Sequence, residues 1–126
     1  MAREIEVRCP SATARQLALA VQAFVASHYP YAADECSAAA REVLLDLARR
    51  FETELLTNGV CVYSQRIRAF VCEAVKSYCE ALERAEGRSY GARCALYTAI
   101  VRGQPASTED ELAAERADIA GELGLG

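Results

Sequence analysis

Cysteine and histidine are the side chains best suited to nucleophilic or metal chemistry, and this chain has six of the first and one of the second. Cys9, Cys36, Cys61, Cys72, Cys79 and Cys94 contain no Cys-x-x-Cys pair, and His28 has no ligand partner at the usual spacing, so neither a zinc site nor another cofactor is expected. Cys72 and Cys79 lie two turns apart on one helical face, where free cysteine packs as a small apolar residue. Reduced thiols in a reducing cytosol are the expectation. A disulfide is the alternative, with Cys9 and Cys36 at segment ends as its participants. A cysteine nucleophile needs an electropositive, partly exposed setting, and Cys61, in the loop after Gly59, is the one candidate. His28 precedes Tyr29-Pro30 and reads as a capping or partly buried side chain rather than a base. No Gly-rich phosphate loop follows a strand, and the carboxylates sit beside Lys and Arg without a converging pair. The chain reads as a non-enzyme.

A chain of 126 residues is one domain and can hide about two-thirds of its surface. With 52% apolar and 25% charged residues its composition is ordinary globular. Fourteen basic against eighteen acidic side chains leave a net charge of −4, which disfavours nucleic-acid or anionic-membrane binding through bulk charge. The apolar run Leu17 to Ala26 is interrupted by Gln22 and preceded by Glu4 and Glu6, so it does not read as a signal peptide. No run reaches the roughly 18 apolar residues of a membrane span. A cytoplasmic protein without a membrane anchor is expected.

Pro10, Pro30, Gly59, Gly87, Gly91, Gly103 and Pro105 divide the chain into intervals with helical periodicity. Ile5, Val7 and Cys9 alternate, as in an extended arm over residues 1–10. Ser11 is a plausible cap for a helix over 12–28 that is apolar nearly all round. A second helix over 35–57 stops at Asn58-Gly59 and buries Ala40, Leu44, Leu47, Phe51 and Leu55, while Arg41, Arg49 and Glu52 face away. A third, over 64–86, opens at Ser64 and turns Ile67, Phe70, Val71, Ala74, Tyr78 and Leu82 inward. A fourth covers 89–102, packing Cys94, Tyr97 and Val101. The last lies within 104–126, with acidic residues at its positive end and a thin stripe of Leu112, Arg116, Ile119 and Leu123, so it is expected at the periphery. Five helices with short connections make an all-α bundle, with helix 64–86 at its centre.

Residues 51–75 are the most informative stretch: an amphipathic helix, an Asn-Gly stop, a short loop, then a long and largely apolar helix. Arg66 falls in the first turn of that helix, where the dipole disfavours a cation, so it calls for an acidic partner. This stretch resembles the first homology motif of the Bcl-2 family of apoptosis regulators. In that family a helix ending Glu-Leu-Phe-x-Asp-Gly is followed by Val-Asn-Trp-Gly-Arg-Ile-Val-Ala-Phe. Here Glu54-Leu55-Leu56-Thr57-Asn58-Gly59-Val60 is similar to the first half and Arg66-Ile67-Arg68-Ala69-Phe70 to the second. The loop is two residues longer, and Tyr63-Ser64-Gln65 stands where the family has Asn-Trp-Gly. Leu44 to Phe51 weakly resembles the family's third motif, with Arg49 in place of its acidic residue. The short, anchorless form looks more like a viral relative than a cellular one.

The resemblance implies an anti-apoptotic protein that holds the BH3 helix of a pro-apoptotic Bcl-2 protein in a hydrophobic groove. Helix 64–86 would be the floor and helix 35–57 a wall. Arg66 would pair with the ligand's aspartate. The implied groove residues are Val43, Leu47, Phe51, Leu55, Arg66, Ala69, Phe70 and Glu73, with Tyr63 at the rim. Two alternatives stay open. One keeps the fold and closes the groove, leaving a viral adaptor or homodimer that acts through another face. The other is an unrelated bundle that recognises nucleic acid or protein through Arg41, Arg49, Arg50, Arg66 and Arg68.

Overall fold

The computed structural model describes residues 3–29 and 34–122. In chain order these form β1 (Glu4–Val7), α1 (Ser11–His28), α2 (Glu35–Asn58), β2 (Cys61–Ser64), a 3-10 turn (Gln65–Ile67), α3 (Arg68–Glu86), α4 (Gly91–Val101) and α5 (Thr108–Glu122). The chain is an all-α bundle with one small two-stranded addition. Pro30 and Leu123, named above, lie outside the described residues.

Local chemistry explains most helix ends. Asp34 caps α2 by accepting the Ser37 N–H at 2.8 Å. Gly59, at φ 74°, closes α2 by donating its N–H to Leu55 O at 3.0 Å, a backbone state that only glycine adopts without strain. Ser107 and Asp110 cap each other at the start of α5: Asp110 Oδ2 accepts the Ser107 N–H at 2.8 Å and Ser107 Oγ accepts the Asp110 N–H at 3.3 Å. Ser11 does not cap α1. It is the first helical residue, and Pro10 occupies the cap position without a side-chain bond.

Where a loop and a helix opening at Ser64 were expected, Cys61–Ser64 is a strand and α3 begins only at Arg68, after the 3-10 turn. β1 and β2 pair antiparallel, with Ile5 opposite Tyr63 and Val7 opposite Cys61. Period-two alternation turns those four side chains inward, where all are buried. The arm at the N-terminus is therefore part of the packed structure.

The centre of the bundle is α1, not the helix at 64–86. Thr13, Ala14, Leu17, Ala18, Ala20, Val21, Phe24 and Val25 are buried along it. α2 and α3 both lie against α1 and meet each other only sparsely. α3 buries Val71, Ala74, Val75 and Cys79, with Cys72, Tyr78 and Leu82 partly buried beside them. Phe70, expected inside, is 40% exposed. The physical reason lies in composition: small residues at 14, 18 and 20 let two helices approach α1 closely, whereas α3, which packs on α1 and α4, keeps a charged face in solvent.

α5 is rotated relative to expectation. Leu112, Arg116 and Ile119 face outward, while Ala114 and Asp118 are buried. The N-terminus of α4 supplies the cause. Tyr90 provides no side-chain cap, and Asp118 accepts the Ala92 N–H at 2.7 Å and the Arg93 N–H at 3.2 Å instead. Arg93 Nε donates to the same carboxylate at 3.0 Å. Free N–H groups at a helix start require an acceptor, and this need outweighs burial of a thin apolar stripe.

Candidate docking site

Ala69, Phe70 and Glu73 of α3 are exposed, and Arg66, expected in the first turn of that helix, is exposed on the 3-10 turn that precedes it. Ser64 opens this segment by accepting the Arg66 N–H at 3.3 Å. The Arg66 guanidinium makes no ion pair among the described residues. This segment thus holds an aromatic face between a cation and a carboxylate. That arrangement is complementary to an amphipathic helix carrying its own carboxylate.

The α2 members do not join it. Leu47 and Phe51 are fully buried and Leu55 nearly so, packed in the closed core. Val43 is 46% exposed on α2, which is laid on α1 rather than raised as a wall over α3. Tyr63 is not at a rim. Its ring meets Phe51 edge-on at 6.4 Å, its hydroxyl donates to Val101 O, and it is 1% exposed. A bulky aromatic on an inward strand position fills core, and the strand itself was what local sequence did not reveal.

The arginines do not form one basic face. Arg41 Nη1 donates to Tyr29 O at 2.7 Å, so it is half-buried and structural rather than facing away. Arg50 bonds Asp46 at 3.0 Å and Val62 O at 2.6 Å, tying α2 to β2. Arg49 also pairs with Asp46. His28 is exposed, its ring stacked on Phe24 at 4.2 Å.

No family model matches the chain, and no curated protein or solved structure matches it either. No helix among the described residues is long and apolar enough to cross a membrane.

Cys61 lacks the setting a nucleophile needs. It is buried, and desolvation pushes its thiol up to about 12. Cys9 is pushed up to about 12 for the same reason, and burial raises Cys79 as well. Cys36, by contrast, is exposed. Iodoacetamide at neutral pH should therefore label Cys36 first, with Cys61 and Cys79 modified only as the chain unfolds; mass mapping over time checks this. The same burial predicts alkaline sensitivity. A folded thiol pKa above its unfolded value contributes stability that is complete below the unfolded pKa and lost as pH rises through the folded one. For Cys9 and Cys61 the window runs from the ordinary thiol value of 9.0 to about 12. Urea midpoints should stay flat below pH 8 and fall steadily above 9.

Proposed function

We propose that this chain is a protein-interaction domain that captures an amphipathic BH3 helix of a pro-apoptotic Bcl-2 protein on the outer face of α3, and thereby restrains apoptosis. The observation that carries the reading is the exposed set of Arg66, Ala69, Phe70 and Glu73. Phe70 is 40% open to water, which leaves its ring accessible to an apolar anchor of a partner helix. Apolar anchors of the ligand would cover Ala69 and Phe70, and its aspartate would meet Arg66. Because Leu47, Phe51 and Leu55 are closed in the core, the ligand lies on a shallow face rather than in a deep groove.

Magnitudes rank the contributors. An exposed ion pair is worth about 0.2–1 kcal/mol, whereas truncating a central aromatic anchor costs about 2 kcal/mol or more. Calorimetric titration of a panel of pro-apoptotic helix peptides should show binding to at least one. Phe70→Glu should abolish that binding, and Arg66→Ala should weaken it about two- to five-fold. Binding that survives Phe70→Glu unchanged sinks the reading.

The closed core favours a second reading, a homodimer or adaptor contact through the same outer face. Sedimentation at rising concentration separates the two. A wild-type dimer that Phe70→Glu returns to monomer, with no response to any peptide, supports the second.

A further inference from the structure

α1, α3, α4 and α5 meet around a cavity of about 450 Å³. That lies within the range of small-molecule sites, about 300–1,000 Å³. Three phenol rings, Tyr78, Tyr90 and Tyr97, line it together with three carboxylates, Glu86, Glu111 and Glu115. Arg93 is the one basic residue in the lining among the described residues; its Nε is committed, while its Nη2 is buried without a hydrogen-bond partner. Its Nε bonds Asp118, and its guanidinium lies 3.9 Å from the centroid of Tyr90. That contact shows an aromatic face here holding a cation within the protein itself.

The remaining acceptors are unevenly used. Tyr78 donates its hydroxyl to Gln16 Oε1 at 2.7 Å, and Tyr90 donates to Glu86. Glu111 Oε1 is buried with no hydrogen-bond partner. A buried acceptor left in this state calls for an explanation. With Arg93 offset by Asp118 and Glu86 facing Arg88 at 4.0 Å, Glu111 and Glu115 leave the cavity negative, so a cation is the ligand its field attracts. A metal ion does not suit the wall: no group of three His, Cys, Asp or Glu among the described residues is placed to hold one. Two carboxylates from α5 and one from α3, in a wall shared with three phenol rings, suit a larger cation whose charge is diffuse.

We propose that this cavity binds a small organic cation of the alkylammonium class, its methylated nitrogen against Tyr78 and Tyr97 with Glu111 as counter-charge. The site involves the C-terminal half of α3 and is independent of the docking face at 66–73.

Choline and its neutral isostere 3,3-dimethylbutan-1-ol test the proposal by NMR titration of the full chain. Choline should give saturable shifts of the Tyr78, Tyr90 and Tyr97 ring resonances, and the isostere should bind about ten-fold more weakly or worse. Glu111→Gln and Tyr97→Leu should each weaken choline about ten-fold, while Tyr97→Phe, which keeps the ring face, should bind like wild type. No saturable shift in the wild type up to about 10 mM choline, a range that covers weak millimolar sites, overturns the proposal. Equal binding of the neutral isostere also overturns it. That comparison needs no variant to fold.

Discussion

Replacing Asp118 with alanine should destabilise the fold by about 3–5 kcal/mol, the cost of removing one partner from a buried ion pair. One carboxylate, 2% exposed, accepts two backbone N–H groups at the start of α4 and pairs with Arg93, whose side chain is 17% exposed. Its loss uncaps α4, orphans a buried guanidinium and releases the inner face of α5. For a domain of this size the melting temperature should drop on the order of 10–20 °C. Urea unfolding followed by circular dichroism measures the loss, and limited proteolysis should then cut first within α5. The double variant Asp118→Ala with Arg93→Leu should lose less than the sum of the two single variants, because the orphaned cation goes with its partner. A loss under about 1 kcal/mol for Asp118→Ala would mean that α5 is held by other contacts.

Phe51 and Phe70 were both expected in one groove, and the structure separates them. Phe51 is fully buried against Tyr63 and should cost about 3–5 kcal/mol when truncated to alanine, the usual range for a core aromatic. Phe70 is 40% exposed, and Phe70→Ala should change stability by roughly 0.5 kcal/mol or less, as surface substitutions do. Chemical denaturation of the two variants side by side checks the contrast. Comparable losses would place Phe70 in the core and remove the face on which ligand capture depends.

Helices were legible because their signals are local. Apolar spacing, Gly59 and Gly87 at C-terminal ends, and acidic residues at 109–111 all lie within a turn of the structure they specify. β2 was not legible, because its partner strand begins 57 residues earlier and only pairing distinguishes Val60-Cys61-Val62-Tyr63 from a loop. The central position of α1 was partly visible in its nearly all-round apolar surface. The inward face of α5 could not be read from periodicity, since Asp118 looks like a solvated acid until the bare N-terminus of α4 is placed beside it. The candidate site divides the same way. Ala69, Phe70 and Glu73 neighbour one another by helical spacing, whereas the 3-10 turn that carries Arg66 was not legible. The burial of Leu47, Phe51, Leu55 and Tyr63 follows from tertiary packing on α1 and the sheet, which spacing does not encode.

Amide chemical-shift mapping with a pro-apoptotic helix peptide tests ligand capture on α3 most directly. Shifts should cluster from Arg66 to Glu73 and leave the amides around the outward residues Leu112 and Ile119 of α5 unmoved. Saturable shifts centred on α5, or none at all across the peptide panel, would contradict it.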